Sequence, residues 1–562
     1  MLKSRVQLQD AIKVLPMPDQ VLGARFIDRA APGLLSRTNP RAMRLVLFGL
    51  PLVFFIVVGS VLLLAFQSDG RLTTSEVILI VLMALLSGWE AVPSANVIIG
   101  LMVPQKPPQL CADTPLTIAI LATIRDENAS NVIPGKLKLL RSLQRKSLHR
   151  FDLHVVSDSS SQAHIDEERR IVGAAFHVPA FHHKRPVNTD FKSGNIRDWV
   201  SRHGAEYDAF IILDADSELD PSTALALANS LAADQACGLI QTVPVVLPGN
   251  TRWQRMQSVA SRIYGASQGC GLAAWMADEA NYYGHNAIVR TKAFAASAGL
   301  PHLQGRGFWN GTILSHDFVE AALLRRAGWA VRLLPSTTGS FEQAPSDVIA
   351  HLKRDARWCL GNFQHSRVLG AAGLHPMSRF HLLSGIATYL SSALWLATLV
   401  LWATLDRTAA GVGGTLAVSA FLLIIVNLLL PRVLGVLHAT RHLPSRRWDV
   451  AKVAIAETFF SSLFAPSLML QRVMMIGRVV ANRGISWAPH EKTDRSLPDY
   501  FVFHAAEVLW GLGLLALVER SFLTLWFLPL ALCLAFTPVL SWFAAQPIQL
   551  CAHEKLNEAT RL

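Results

Sequence analysis

The chain has 562 residues, of which 51% are hydrophobic and 16% are charged. With a mean hydropathy of +0.33, it is too apolar for an ordinary soluble domain and is expected to cross a membrane. The net charge is nevertheless +12, and in a membrane protein such an excess usually lies in cytoplasmic loops that face anionic lipid. Because the basic residues are spread over loops rather than forming one dense patch, we expect no nucleic-acid partner.

The first predicted elements are two membrane helices within residues 43–105, with apolar runs at 43–67 and 77–103. Each run exceeds the roughly 20 residues needed to cross a bilayer. The preceding segment, 1–42, is rich in Lys and Arg, whereas the short loop between the runs has Arg71 as its only basic residue. Since basic residues favour the cytoplasmic side, we place the N-terminus and the domain that follows the second helix in the cytoplasm.

Residues 106–378 differ in pattern, because short β-branched runs alternate there with helical periodicity. Strands are predicted at 116–122, 151–157, 209–214, 237–243 and 330–334, and helices at 163–172, 193–203, 221–233, 317–327 and 346–364. Such alternation predicts an α/β domain with a mostly parallel sheet.

The region 379–550 is apolar again and predicts four further spans. They lie at about 382–405, 415–437, 501–518 and 522–545. Segment 453–480 combines apolar residues with Glu457, Pro466 and Arg472, which fits one span, a kinked hairpin or an interfacial helix. The basic loops on both sides of it are both cytoplasmic only if it does not cross once. We therefore expect a hairpin or an interfacial helix, six spans in all, and a cytoplasmic tail at 551–562.

The clearest chemical signal is Asp214-Ala215-Asp216, which closes the apolar run 209–213. Two carboxylates one residue apart at the end of a buried strand are a good place for a divalent cation. Hard oxygen ligands suit Mg²⁺ or Mn²⁺, which typically share their coordination with substrate phosphates. The alternative is a solvated turn at the end of the strand.

Further polar residues follow the other predicted strands. Thr123, Asp126 and Glu127 come directly after the first strand and Asp158 after the second, at the edge where open α/β sheets bind ligands. Asp126 or Glu127 is suited to accept a ribose hydroxyl, and Asp158 to accept a uracil N–H. Helix capping is the alternative for these carboxylates. Lys192 stands beside a glycine-led helix start, which suits a phosphate or a nucleotide.

Two helical segments complete the set. Asp317 begins a predicted helix, where it is either an N-cap or a general base that deprotonates an acceptor hydroxyl. Arg354 and Arg357 share one face of a second helix, and two guanidiniums facing one site can clamp a diphosphate. Trp358 follows them and is suited to form the floor of a sugar site. A basic amphipathic helix at the membrane surface is the alternative.

The order of these elements carries more information than any one of them. The elements are Asp158, Asp214-x-Asp216, Asp317 and Arg354-x-x-Arg357-Trp358. This order resembles the Asp, Asp-x-Asp, Asp, Gln-x-x-Arg-Trp signature of the processive family-2 glycosyltransferases, the group that contains cellulose, chitin and hyaluronan synthases. Gly284-His-Asn286 and the flanking membrane helices agree with the resemblance, which covers roughly residues 40–550.

Departures from that signature indicate a narrower group. Arg354 stands in place of the Gln, His316-Asp317 in place of Glu-Asp, and Asp158-Ser159-Ser160 in place of Asp-Asp-Gly. In these respects the chain is similar to the bacterial glucosyltransferases that make the β-1,2 backbone of osmoregulated periplasmic glucans. It lacks the long N-terminal extension of some of those enzymes, so we do not expect a function housed there.

The resemblance implies a fold, a reaction and roles for these residues. It implies a multi-pass helical membrane protein with a cytoplasmic GT-A domain, the Rossmann-like fold of nucleotide-diphospho-sugar transferases. The reaction is inverting transfer from UDP-glucose to a growing β-glucan in the bacterial inner membrane, among its lipids and with a periplasmic partner protein. Asp214 and Asp216 would hold Mg²⁺ or Mn²⁺, Asp126 and Asp158 would seat uridine, and Asp317 would be the base. Arg354 and Arg357 would stabilise departing UDP, and Trp358 would stack on the acceptor sugar.

One more segment and two rival functions remain. The segment 481–497, with Trp487, His490 and Lys492, is expected to gate the nucleotide site as in related synthases, or else to be an inert linker. The first rival is another β-glycan synthase, making cellulose or an N-acetylhexosamine polymer. The second is a transporter with a regulatory α/β domain, although the domain lacks a Gly-x-x-x-x-Gly-Lys-Ser/Thr phosphate loop.

Overall fold

The computed structural model describes residues 14–32, 39–67, 72–103, 114–335, 338–404, 415–442, 444–483, 495–518 and 527–548. Two long helices come first, α1 (Arg41–Phe66) and α2 (Thr74–Met102). Their bounds agree with the predicted apolar runs. Both are long and apolar enough to cross a membrane. A capping box between Thr73 and Glu76 begins α2, which satisfies N–H groups that the helix itself leaves free.

The α/β domain follows. Its strands are β1 (Thr117–Ile124), β2 (Arg150–Ser157), β3 (Ala180–Lys184), β4 (Ala209–Leu213), β5 (Ser217–Leu219), β6 (Cys237–Gln241), β7 (Val245–Leu247), β8 (Ala287–Arg290), β9 (Ala330–Leu333) and β10 (Ser340–Gln343). Its helices are α3 (Ala129–Lys146), α4 (Gln162–Ala174), α5 (Phe191–His203), α6 (Pro221–Ala233), α7 (Arg252–Met276), α8 (Thr291–Ser297), α9 (His316–Arg326) and α10 (Val348–Val368).

Seven strands form one sheet in the order β3-β2-β1-β4-β8-β6-β9. All neighbours pair in parallel except β8, which is antiparallel to both β4 and β6. A second sheet has the order β5-β10-β7. The central strand β4 is buried throughout, as expected for a sheet covered on both faces. The predicted α/β domain with a mostly parallel sheet is confirmed, and its fold is GT-A-like.

The C-terminal region consists of helices. They are α11 (Pro376–Thr404), α12 (Thr415–His442), α13 (Arg447–Val480), α14 (Leu497–Phe503), α15 (Ala505–Val518), α16 (Leu528–Ala535) and α17 (Thr537–Ala545). Among the described residues, five helices are long and apolar enough to cross a membrane: α1, α2, α11, α12 and α13. The bent pair α16 and α17, with an angle of 58°, makes a sixth if it counts as one span.

Two expectations for this region need correction. A hairpin at 453–480 is wrong, because α13 runs through it as one helix of 34 residues with Pro466 inside. A proline removes one helical hydrogen bond and kinks a helix without obliging the chain to turn back. The predicted spans 501–518 and 522–545 are interrupted, the first at His504 and the second before Thr537-Pro538, where proline stands at the start of the new helix, its preferred position.

The α/β domain is joined closely to the membrane helices through α7. A Cβ on Gly100 of α2 would lie 2.0 Å from the carbonyl oxygen of Ser267, and one on Gly271 of α7 would lie 2.0 Å from that of Asn96. Two glycines thus allow the backbones of α2 and α7 to touch. The segment 14–32 also packs on the domain, where Trp329 donates a hydrogen bond to Asp28 at 2.9 Å.

Candidate active site

Asp214 and Asp216 follow the buried strand β4, as predicted. The hydroxyl of Thr123, at the end of the neighbouring β1, donates to Asp214 Oδ1 at 2.9 Å. Lys192, near the start of α5, forms an ion pair with the same oxygen. Burial alone would raise the pKa of Asp214, but the charges of Lys192 and His285 and the hydrogen bonds from Lys192 and Thr123 hold it at about 2. Asp214 is therefore ionised.

The second carboxylate lies in a different electrostatic setting. The pKa of Asp216 is raised by burial and by the charge of Asp214, and Glu342 raises it further, while His285 and Arg354 oppose the rise. Glu127 belongs to the same cluster, since burial raises its pKa to about 7 and the charges of Asp214 and Asp216 contribute. Asp214 and Asp216 therefore make a third carboxylate nearby harder to ionise.

Such mutual repulsion between carboxylates fits a divalent cation. Among the described residues there is no group of three or more His, Cys, Asp and Glu side chains arranged to hold a metal ion. Two carboxylates are nevertheless the expected protein share of a Mg²⁺ or Mn²⁺ site whose remaining ligands are water and substrate phosphates. The donor set of Asp214 and Asp216 therefore suits the predicted ion.

Asp317 lies on the other side of Lys192. Lys192 Nζ donates to the carbonyl of Gly284 at 2.9 Å, and a Cβ on Gly284 would be 3.3 Å from Asp317 Oδ2 and 3.7 Å from Lys192 Nζ. Gly284 has φ +92°, so glycine suits both the space and the backbone there. The structure brings Asp214, Lys192 and Asp317 together although more than 100 residues separate the two aspartates.

Asp317 is not the N-cap of its helix. That position is Ser315, and Asp317 lies in the first turn of α9, where its Oδ1 accepts from the N–H of Phe318 at 3.1 Å. The capping interpretation is therefore wrong. Burial raises the pKa of Asp317 and Glu320 adds to the rise, while His316 opposes it. A carboxylate that is harder to keep ionised is a stronger proton acceptor, as a general base requires.

The predicted diphosphate clamp lies on one face of α10. Burial lowers the pKa of Arg354, and the charges of Glu342 and Asp216 oppose this effect. Burial also lowers the pKa of Arg357, with Arg354 and Arg125 adding to it. Three guanidiniums therefore stand close to one another beside the acidic cluster, an arrangement that costs free energy unless an anion joins them.

Trp358 is next to this clamp and is open to solvent. Its side chain is 47% exposed, and the guanidinium of Arg354 lies over its ring at 4.7 Å from the centroid. One face of the ring is covered by Arg354, so a sugar would stack on the remaining surface.

Two of the predicted uridine ligands are engaged with the protein. Both oxygens of Asp126 accept hydrogen bonds at the start of α4, from Ser160 N at 2.8 Å, Ser160 Oγ at 2.7 Å and Ser161 N at 3.0 Å. Asp158 forms a buried bidentate ion pair with Arg185, at 2.7 and 2.8 Å. A ribose hydroxyl or a uracil N–H would have to share these oxygens.

Sequence reasoning missed several residues around the site. His285 lies between Ser217, at 3.1 Å, and Glu342, at 3.4 Å, and its charge acts on both Asp214 and Asp216. Its position within Gly284-His-Asn286 was the available signal. Glu342 stands on the short strand β10, which no periodicity indicated. The loop residues Trp487, His490 and Lys492 lie outside the described residues.

Comparison with known proteins decides the family. The profile of the glycosyl transferase family group 2 matches residues 209–434. A protein of Vibrio cholerae named glucans biosynthesis glucosyltransferase H is 36% identical over 520 residues, which are 85% of this chain and 71% of that protein. Proteins of the same name from Shewanella oneidensis and Rhodopseudomonas palustris are each 34% identical; the aligned parts cover 87% and 86% of this chain and 74% and 71% of those proteins.

The chain belongs to the glucans biosynthesis glucosyltransferase H family. It is therefore a glycosyltransferase of glucan biosynthesis, and the narrower resemblance seen in the sequence is confirmed. Membership also excludes a merely regulatory role for the α/β domain. Among solved structures, a mannosyltransferase from Pyrobaculum calidifontis in complex with GDP-Man and Mn²⁺ aligns with 68% of this chain and 99% of its own, at 14% identity and a TM-score of 0.43.

Proposed function

We propose that the enzyme polymerises glucose from UDP-glucose into the β-1,2-linked backbone of osmoregulated periplasmic glucans. The observation that supports this proposal most strongly is that three groups lie together at one edge of the sheet. They are Asp214-x-Asp216, Asp317 and the Arg354–Arg357 face of α10. A metal-diphosphate site, a base and a cationic clamp are the three parts that transfer of a sugar from a nucleotide requires. Membership of the glucosyltransferase family supports glucose as the sugar.

The residues of the site then act in an inverting transfer. Asp317 accepts the proton of the acceptor 2-hydroxyl while the oxygen of that hydroxyl forms a bond with the anomeric carbon of glucose. The bond between that carbon and the phosphate oxygen breaks, and UDP leaves with the electron pair. Arg354 and Arg357 stabilise the negative charge that develops on UDP, which is the largest kind of contribution in many active sites.

Other residues hold the donor. Asp214 and Asp216 would bind Mg²⁺ or Mn²⁺, which supplies positive charge to the diphosphate as a Lewis acid. Lys192 and Thr123 fix the orientation of Asp214. Glu127 is the better remaining acceptor for a ribose hydroxyl, because both oxygens of Asp126 are already used at α4. Trp358 stacks on the acceptor sugar, and the loop with Trp487, His490 and Lys492 gates the nucleotide site.

We place the enzyme in the bacterial inner membrane, with its α/β domain and both termini in the cytoplasm. Basic residues around the membrane helices contact anionic lipid. The product is a periplasmic glucan in this proposal, so the membrane helices export it and a periplasmic protein of glucan synthesis receives it.

The donor is tested by nucleotide release from membranes that contain the enzyme. With Mg²⁺ or Mn²⁺, we expect UDP release with UDP-glucose to exceed that with UDP-N-acetylglucosamine by at least about tenfold, since a site built to contact one substrate rejects others by one or more kcal/mol. Membranes with Asp317→Asn are the background control. Equal or higher release with UDP-N-acetylglucosamine would refute glucose as the substrate.

The diphosphate clamp is tested by Arg357→Ala. We expect a loss of transfer on the order of 10²-fold, because the variant removes one charge-stabilising donor from the transition state. The matched control is Arg367→Ala, an exposed arginine on the same helix whose contact is a 3.4 Å hydrogen bond to Gln304 O. Equal losses of transfer activity in Arg357→Ala and Arg367→Ala would favour the alternative, in which α10 is only a basic amphipathic helix at the membrane surface.

A further inference from the structure

Helix α10 carries the clamp on one face and packs against the membrane helices with another. On the packing side, Val348, Leu352 and Cys359 are buried, and they belong to one apolar cluster with Tyr389 of α11 and Phe464 of α13. Contacts of this kind are non-directional. They hold α10 against its neighbours, but they do not by themselves fix its rotation about its own axis.

Asp355 interrupts this apolar side. It is 4% exposed and directly follows Arg354, about 100° around the helix from it. The hydroxyl of Tyr389 donates to Asp355 Oδ1 at 2.8 Å, and Arg472 Nε donates to Oδ2 at 3.0 Å. The two oxygens are thus held by side chains from two different membrane helices, α11 and α13.

The free-energy cost of forming this ion pair away from water indicates that its main contribution is not stability. Taking the Asp355 carboxylate and most of the Arg472 guanidinium, whose side chain is 29% exposed, out of water is costly, so such an ion pair adds little stability compared with apolar residues of the same size. What it adds is geometry, because two hydrogen bonds in fixed directions allow a single orientation of Asp355. Since Arg354 is the adjacent residue, fixing Asp355 also fixes the direction of Arg354.

A second ion pair holds the same helix at its start. Asp347 is fully buried; its Oδ1 accepts from Ala350 N at 2.7 Å as the N-cap of α10, and its Oδ2 accepts from Arg495 Nη1 at 2.5 Å. Eight residues, or about 12 Å of helix, separate Asp347 from Asp355. With both ends of this interval held, α10 can neither rotate nor slide without breaking a buried pair.

We propose that Asp355 and Arg472 are positioning residues that set the rotation of α10, so that Arg354 and Arg357 face the donor diphosphate. This inference rests on the proposed function, since it takes the diphosphate as the ligand of those two arginines. It assigns a role to Arg472, one of several charged residues of α13, and it makes the membrane helices part of the construction of the active site.

The proposal is tested with Asp355→Asn and Arg472→Gln in membranes that contain the full chain. We expect each to lower kcat/KM for UDP-glucose by about 10- to 100-fold, because a displacement on the order of 1 Å can cost 10²-fold. The matched control is Arg432→Gln, which breaks another arginine–acid pair, between Arg432 of α12 and Glu457 of α13, at 3.7 Å. It does not touch α10, so its kcat/KM is expected to stay within about twofold of the wild type.

Two further measurements distinguish a positioning role of Asp355 and Arg472 from a merely structural one. In an Arg354→Ala background, Asp355→Asn should cost less than about twofold more, because residues that act through one another are not additive. Arg472→Lys keeps the charge and should recover most of the activity that Arg472→Gln loses. Multiplicative losses, or activities of Arg472→Gln and Arg432→Gln that are alike, would overturn the proposal.

The outcomes also separate this inference from the proposed function. If wild-type membranes release no UDP from UDP-glucose, the proposed donor is wrong whatever the variants do. If the wild type is active and Arg472→Gln is as well, only the positioning role is wrong. Should Asp355→Asn not accumulate in membranes, Arg472→Gln and Arg472→Lys decide the matter from the other side of the pair.

Discussion

Asp317→Asn is expected to reduce glycosyl transfer on the order of 10²-fold or more while leaving stability and UDP-glucose binding unchanged, since general base catalysis contributes at least that factor. The asparagine has nearly the same shape as Asp317 but cannot accept a proton at neutral pH. Stability is expected to survive because Asp317 is not the N-cap of α9 and its raised pKa means that burial disfavours its charge. The measurement is UDP release, together with thermal unfolding and nucleotide-sugar affinity.

Asp449→Asn is the control for the loss of a negative charge at the start of a helix. It removes an exposed carboxylate from the first turn of α13. It should leave transfer unchanged. The pH dependence gives a second check: since the base must be deprotonated and its pKa is raised, kcat should fall as the pH is lowered through that value, above the range of an exposed aspartate. Normal turnover of Asp317→Asn would show that the base is another carboxylate of the site.

Asp216→Asn is the second substitution with a very large expected effect, a loss of transfer on the order of 10²-fold or more, because metal-assisted charge stabilisation is worth several kcal/mol. The variant should also bind Mn²⁺ more weakly in the presence of UDP, as followed by electron paramagnetic resonance. The thermal stability of the variant, unlike its activity, should not decrease. The folded pKa of Asp216 is raised by burial and Asp214, so its ionised form is disfavoured by folding, and at neutral pH the neutral asparagine should unfold at the same temperature or a higher one.

An exposed carboxylate is the comparison for Asp216. Asp166→Asn lies on α4, with a side chain that is 63% exposed, and should change neither Mn²⁺ affinity nor transfer. Near-normal turnover of Asp216→Asn with saturating Mg²⁺ or Mn²⁺ would refute the metal assignment, whatever its effect on stability.

The parts of the fold that sequence predicted well are those with strong periodicity. Strands β1, β2, β4 and β6 are apolar runs with sharp ends, so Asp214 and Asp216 were correctly placed at the end of β4. The antiparallel strand β8 has four residues and lies between β4 and β6; so short a run has no distinct pattern. The hairpin predicted at α13 was wrong because it treats Pro466 as a turn, although the helical pattern continues through it.

For the site, local sequence identified the reactive residues but not their partners. Asp126 and Asp158 look alike in sequence, as carboxylates after strands, yet one accepts hydrogen bonds from Ser160 and Ser161 just before α4 and the other pairs with Arg185. These contacts join residues about 30 positions apart, and no spacing rule predicts them. The role proposed for Asp355 has the same origin, since its partner Arg472 is 117 residues away.

The most direct test of the central claim is the linkage of the product. Membranes with the wild-type chain are incubated with UDP-glucose and Mg²⁺ or Mn²⁺, with Asp317→Asn membranes in parallel, and the glucan is analysed by methylation. The account predicts 2-linked glucose as the main derivative, present with the wild type and absent with Asp317→Asn. A product made mainly of 4-linked glucose, or no wild-type product at all, would contradict it.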